Sequence, residues 1–324
     1  QARDEQRNYY WDDWAAAGPS ETVSRLDTRN THSSWQNDFR LPLGTLVLAL
    51  ERDKQRVRPH ADYSHDPEIS NNSVLAGWSA SHGAHSWQLN ARRDDHSTFD
   101  GHTTYSAAYG YQLSDHWRVN VGYGKAFKAP SVYQLYSFYG DADLQPEESR
   151  SREATLTWED GVHTVSATYY LNKVSNLIDY SMSDWKYENV SAARLQGVTL
   201  AWRGQFDAWT LSGSYDWLDA EDENTGFELG RRARHSVHLA ALRDWGRLST
   251  GVEVSGTGRR FNAHDESGRM GGYGVVNVTA RYALRKDLAL EARINNLFDK
   301  NYETVRHYNT AGLNAFVGLR YSLR

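Results

Sequence analysis

Arg231 and Arg232 stand side by side. Guanidinium groups donate forked hydrogen bonds that fit amide and phosphate oxygens. The pair could therefore grip an oxygen-rich ligand, or it could anchor a loop by ion-pairing with Asp219 or Glu221. Tyr133, Tyr136, Phe138 and Tyr139 crowd another stretch. Such rings could cap a large apolar ligand, since aromatics concentrate binding energy. The plainer role for most of them is packing their own loop. Phe261 and His264 offer a smaller version of the same choice. Asp141, Asp143, Glu147 and Glu148 carry oxygens that suit a hard cation. They lack the dense ligand run and glycine turn of a calcium loop, and read as a solvated acidic segment. His60 and His65, beside Asp62 and Asp66, read as a loop pair. No motif singles out a Ser/His or Asp/His pair for nucleophilic chemistry, so no enzyme is expected. With no cysteine in the chain, disulfide scaffolds and Cys-ligated metal sites are excluded.

Most of the aromatic and acidic candidates sit between Phe127 and Glu148, a long connection between two alternating runs. Before it, Trp117, Val119, Val121 and Tyr123 share a face against Arg118, Asn120, Gly122 and Gly124. After it, Ala154, Leu156 and Trp158 alternate with Glu153, Thr155 and Thr157. Period two is the signature of a β-strand. The same rhythm recurs through Leu46, Leu48 and Leu50, through Val74 and Trp78, and through Trp87 and Leu89. It returns in Val165 and Tyr169, Val198 to Trp202, Trp209 and Leu211, and Leu288 to Ile294. It closes with Leu313, Ala315, Val317, Leu319, Tyr321 and Leu323.

The second face of these runs carries Arg118, Glu291, Arg293 and Arg320. A dry core would not accept those charges, whereas a water-filled or plugged lumen does. Aromatics are 13% of the chain, with 12 Trp and 20 Tyr. The mean hydropathy of −0.74 does not argue against a membrane, because in a barrel only every second strand residue meets lipid. A net charge of −5 gives no reason to expect nucleic acid. The fold class expected is all-β, a transmembrane antiparallel β-barrel in the bacterial outer membrane. Short turns alternate with long loops, and Trp78, Trp87, Trp117, Trp158, Trp202 and Trp209 face lipid. About fifteen strands are countable, with residues 1–21 as a remnant of an extracellular loop and 22–324 as barrel. An odd count whose first and last strands run the same way cannot close, so further strands upstream are expected.

Two segments resemble the signatures of TonB-dependent outer-membrane receptors. One is FKAPSVYQLY with the following LQPEE, covering Phe127, Lys128, Ala129, Pro130, Tyr133, Leu135, Tyr136, Pro146 and Glu147. The other is RINNLFDKNYE, with Asn296, Leu297, Phe298, Asp299 and Tyr302, followed by the alternating last strand. A passive porin would lack both. YQLYSFYGDADLQPEES, KVSNLIDY, GRRARHSV and NLFDKNYETVRHYNTAG are similar to the cobalamin (vitamin B12) branch of that family. The resemblance implies about fifteen strands of a 22-stranded barrel, with the plug domain and TonB box lying outside this chain. It implies active uptake of cobalamin or another corrinoid, energised by TonB through that plug. A ferric siderophore is the alternative cargo, and an outer-membrane phospholipase or protease, or a porin, is the alternative class. It places Arg231 at a ligand contact, with Arg232, Phe261, Tyr136 and Tyr139 as further candidates. No cofactor is expected of this chain. Calcium would bind to early loops that it does not contain. Outer-membrane lipids and the barrel assembly machinery are the remaining partners. Strict alternation puts Arg232 and Arg234 toward the lumen and leaves Arg231 on the other face.

Overall fold

The computed structural model describes residues 2–11, 23–58, 67–181 and 184–322. The described residues form sixteen strands and one short helix. The first strands are β1 (Ala2–Trp11), β2 (Val23–Leu41), β3 (Gly44–Arg58), β4 (Glu68–His82), β5 (His85–His96), β6 (His102–Gln112) and β7 (Trp117–Lys128). Helix α1 (Val132–Tyr136) follows, then β8 (Glu147–Glu159), β9 (Thr164–Ser181), β10 (Lys186–Phe206) and β11 (Trp209–Asp222). The last are β12 (His235–Asp244), β13 (Leu248–Thr257), β14 (Tyr273–Arg285), β15 (Leu288–Asn295) and β16 (Asn314–Tyr321). Their hydrogen-bonded order follows the sequence from β1 to β16, which stand at the two ends of that order. Two-residue turns at 42–43, 83–84, 207–208 and 286–287 alternate with long connections such as 129–146, 223–234, 258–272 and 296–313.

Two sequence expectations change. Residues 2–11 are a strand, not loop: β1 pairs antiparallel with β2 from Ala2 opposite His32 to Trp11 opposite Val23. ARDEQRNYYW has no apolar alternation, so backbone pairing alone makes it a strand. The count becomes sixteen, and an even count removes the parity reason for expecting further strands. His60, His65, Asp62 and Asp66 lie outside the described residues.

Contacts divide the chain into two units. One comprises Gln1–Gly110, Gly122–Ser151 and Val174–Ala192; the other comprises Tyr111–Val121, Arg152–Lys173 and Ala193–Arg324. In the first, register aligns apolar residues on one face of β2 to β5. Trp35 is opposite Leu50, Leu50 opposite Val74, Leu46 opposite Trp78, and Trp78 opposite Leu89. That face is bare: Trp35 and Val74 are each 57% exposed. The other face carries the polar groups. The Arg92 Nη1 donates to Glu51 at 2.6 Å, and Asp94 accepts from Ser73 Oγ and Asn71 Nδ2, each at 2.7 Å.

The second unit repeats the inversion. Val252 is opposite Val278, Val278 opposite Ile294, and Ile294 opposite Ala315. Leu319 on the same face is 69% exposed. Across the sheet plane, Arg293 pairs with Glu253 at 2.9 Å, Arg320 with Glu291 at 2.9 Å, and Thr199 donates to Asp216 at 2.6 Å. A water-soluble sheet would hide the first set and show the second. Apolar side chains outward and satisfied charge networks inward suit lipid on one face and a polar lumen on the other. Of the six tryptophans assigned to lipid, Trp117 and Trp209 are exposed and the other four half-buried.

A conventional apolar core does exist in the first unit, at the strand ends beside the long connections. Val57, Ile69, Val132, Leu135, Leu144 and Ile178 are buried together, with Phe99, Tyr136 and Tyr187 packed on them. These residues come from strand ends and from the connection 129–146, so the core belongs to the loops.

Candidate functional site

In the first unit, the connection 129–146 is folded by its own sequence. Ser131 caps α1: its hydroxyl accepts the Gln134 N–H at 3.2 Å, and the Gln134 side chain accepts the Ser131 N–H at 2.9 Å. This reciprocal capping box satisfies donors that a helix start otherwise leaves open. Val132 and Leu135, three apart, fall on one side of the turn and are 2% and 3% exposed. The chain then doubles back under the helix. Asp141 N–H donates to Gln134 O at 2.8 Å. A Cβ on Gly140 would lie 2.8 Å from that same oxygen, so only glycine fits there. Leu144 closes the core. Gln145 N–H donates to Asn189 Oδ1, and Asn189 Nδ2 donates back to Gln145 O. Glu147 accepts the Ile178 N–H at 3.0 Å and pairs with Lys128 at 3.2 Å.

The candidate aromatics of this unit differ in exposure. Tyr136 packs on the core. Tyr139 meets Tyr180 edge-on at 6.0 Å, and its carbonyl accepts the Tyr187 N–H. Tyr133 and Phe138 are the more exposed, at 41% and 75%, with Tyr133 edge-on to Tyr187 at 6.1 Å and Phe138 edge-on to Tyr139 at 5.2 Å. Phe127 stacks on His102 with ring centres 3.8 Å apart. The carboxylates do not converge. Asp141 accepts the Asp143 N–H, Glu147 is engaged as above, and Glu148 pairs with Lys125 at 3.1 Å.

In the second unit, connections 223–234, 258–272 and 296–313 are tied into one cluster. Arg231 and Arg232 precede β12 and do not lie on it, so alternation does not decide their direction. Arg231 has φ +60. Its backbone N–H donates to Phe261 O at 2.7 Å, and its Nε to Asn262 O at 3.2 Å. Arg232 Nη1 donates to Gly230 O. A Cβ on Gly230 would stand 2.8 Å from the Ala263 carbonyl carbon, so glycine lets the two loops touch. Asp219 and Glu221, offered as partners for these arginines, are engaged elsewhere. Arg194 takes Glu221 at 2.6 Å, and Arg234 takes Glu228 at 2.9 Å with Asp219 at 3.6 Å. Phe261 is half-buried with Arg259 over its ring. Tyr136 and Tyr139 thus belong to the first unit, and Arg231, Arg232 and Phe261 to the second.

Sequence reasoning did not single out Arg260, the centre of this cluster. It is 3% exposed, donates to the Glu303 carbonyl, and lies over the Tyr273 ring, which stacks on Tyr302 at 4.3 Å. Asn262 Oδ1 accepts the Arg306 N–H, joining the second and third loops. Asn296, 3% exposed with φ +49, donates to Lys300 O and Ala311 O and accepts the Lys300 N–H. Asp299 accepts the Leu313 N–H at 2.8 Å. The NLFDKNYE motif is thus a brace for its own loop. The Ser267 hydroxyl and then its backbone N–H hold the Asp265 carboxyl below its ordinary range.

Residues 2–297 match the family described as TonB dependent receptor-like, β-barrel. Several solved structures share the fold. The ferric enterobactin receptor PfeA of Pseudomonas aeruginosa is 17% identical with a TM-score of 0.81, over 99% of this chain and 58% of that one. The siderophore receptor PirA of Acinetobacter baumannii is 17% identical at 0.79, over 99% and 59%. The copper transporter OprC is 17% identical at 0.80, over 99% and 61%. The chain therefore spans about three-fifths of the length of these structures.

Proposed function

The chain belongs to the TonB-dependent receptor β-barrel family of outer-membrane transport receptors, and on that premise we propose that it supplies the barrel wall and outer loops that capture a corrinoid of the cobalamin type. In the whole protein, uptake is driven by TonB through a plug. The observation carrying this reading is that the long connections form two preassembled clusters. One presents the part-exposed rings of Tyr133 and Phe138, the other the exposed Arg231. Preassembly lowers the ordering cost of capturing a large ligand. A corrinoid combines broad apolar surface with amide and phosphate oxygens, which match rings and guanidinium respectively. Tyr136, Tyr139 and Phe261 support the presented groups by packing. Calcium has no proposed role at Asp141, Asp143, Glu147 or Glu148.

A ferric siderophore is the second reading. The loops 223–234 and 258–272 are rich in arginine, with Arg231, Arg232, Arg234, Arg259, Arg260 and Arg269. Such density suits an anionic chelate. The test is equilibrium binding of cyanocobalamin and of a ferric catecholate to the intact receptor and to Arg231→Ala and Arg232→Ala, with folding checked by heat-modifiability. Loss of a charge-assisted hydrogen bond, worth roughly 1.5–3 kcal/mol, should weaken corrinoid binding about 10- to 100-fold. Both variants binding like the parent would make the arginines structural. A parent that takes only the catecholate would replace the cargo and leave the receptor.

A further inference from the structure

The lipid-facing surface of the second unit carries a charge at its short-turn end. Arg243 follows Leu239 and Ala241 on the apolar face of β12, and register sets it opposite Trp209. Its guanidinium carbon lies 3.8 Å from the ring centre of Trp245 and 5.0 Å from that of Trp209. The Trp245 indole is fixed by its own bond, Nε1 donating to Thr250 Oγ1 at 3.1 Å. Phe206, opposite Trp209, extends the aromatic surface. Phe206, Trp209 and Trp245 are 50%, 36% and 55% exposed, so these rings are not interior packing.

The cation has no counter-charge among the described residues. The neighbouring Asp244 carboxylate accepts the Gly246 N–H at 2.9 Å and closes the turn. Arg243 Nε is enclosed and finds no acceptor. Its Nη groups make no hydrogen bond or ion pair among the described residues and remain as donors. Connection 245–247 is short, which puts these residues at the rim of the apolar surface, the depth at which acyl chains give way to headgroups. An aromatic surface with an unneutralised, planar cation on it complements an amphiphile whose head is anionic and forked in its acceptors.

We propose that Arg243, Trp209 and Trp245 form a phospholipid subsite, with the guanidinium on the headgroup phosphodiester and the indoles against the glycerol and upper acyl chains. The subsite is independent of the cargo, since it lies on the lipid face. Indole stacking orients the guanidinium and leaves its Nη edge for the phosphate oxygens.

The test uses the full chain in a non-ionic detergent and native mass spectrometry of the first lipid bound. Three probes are titrated: phosphatidylglycerol, diacylglycerol with the same tails, and inorganic phosphate. The expected result is tighter binding of phosphatidylglycerol than of diacylglycerol and no competition from inorganic phosphate. In Arg243→Gln, phosphatidylglycerol affinity should fall about fivefold, the effect of one basic residue at an anionic surface, with diacylglycerol unchanged. Equal phosphatidylglycerol affinity in parent and variant overturns the proposal. So does equal binding of the two lipids to the parent, or displacement by inorganic phosphate. If Arg243→Gln loses heat-modifiability, Arg243→Lys and Trp245→Leu replace it. Both keep a charge and lose the stack, and both should weaken phosphatidylglycerol selectively. Parent-like selectivity in both overturns the subsite.

Discussion

The two loop clusters solve one problem with different physics. In the first unit, the connection 129–146 is centred on Val132, Leu135 and Leu144 buried against Val57, Ile69 and Ile178, with the Gln145–Asn189 and Glu147–Ile178 bonds at its end. In the second, Leu229, Ala263 and Met270 are buried as well, but the three connections are joined to one another by directional groups: Arg260, Asn262, Asn296, Asp299 and backbone bonds through Gly230 to Arg231. Burial depends on volume and tolerates a change of shape; a hydrogen-bond brace depends on which atom is a donor. The first cluster should therefore accept chemistry-preserving swaps that alter side-chain shape. The second should reject isosteric swaps that alter a donor.

The largest effect should come from Leu135→Ala. Removing a leucine that is 3% exposed creates a cavity and should weaken the first cluster by about 2–4 kcal/mol. Leu135→Met, which keeps the volume, should cost under about 1.5 kcal/mol. Hydrogen exchange of residues 129–146 on the full chain measures both. A methionine as damaging as alanine would mean that this cluster, too, is held by specific shape.

Next comes Asn296→Asp. The side chain keeps its size, but an oxygen now faces the Lys300 and Ala311 carbonyls. A loss of about 1–3 kcal/mol is expected, the cost of unsatisfied buried polar groups. It should read out as faster exchange across 296–313 and unchanged exchange at 129–146. Protection equal to the parent would erase the contrast between the clusters.

These outcomes bear on what was legible in the sequence. Alternation identified the lipid face of the strands that have one, because an apolar face leaves a period-two trace, and it missed β1, which leaves none. Val74, Leu89, Leu239 and Leu319 are all exposed as that trace requires. The loop core left no such trace. Val57, Ile69 and Ile178 sit far apart in the chain and meet Leu135 only through folding. Helix α1 was readable in principle, since Ser131 and Gln134 spell a capping box, but five residues show no helical period. Arg260 was hidden for another reason. One more arginine in an arginine-rich loop looks solvated, and only burial over Tyr273 distinguishes it. Arg231 became a candidate through resemblance, and alternation could give it no direction, because β12 starts only at His235.

The smallest effect is a pH dependence of the second cluster that runs through Asp265. The Asp265 carboxyl is held low by Ser267, so its folded value lies below its unfolded one. Its contribution is complete above the ordinary carboxylate range near 4 and is lost as pH falls through the lowered value. Exchange of residues 258–272, corrected for intrinsic rate, should rise on acidification from about pH 5 toward 2. In Asp265→Asn the rise should be smaller. A rise across 258–272 in Asp265→Asn equal to the parent's would contradict this role for Asp265.

Every strand of the sheet is bonded to its neighbours in sequence, with no crossover. Under mechanical load this becomes a zipper. A pull on β16 loads the β15–β16 ladder first, and each released hairpin of roughly 30 residues yields about 100 Å of slack. Force then falls on the next pair, so no single step breaks the whole sheet. The braced loop 296–313 connects β15 and β16, and its ties to 258–272 through Asn262 and Arg260 must break in the same step. Extraction from a bilayer would thus proceed as a sequence of discrete tugs, with the loops setting their spacing in force and the hairpins their spacing in length.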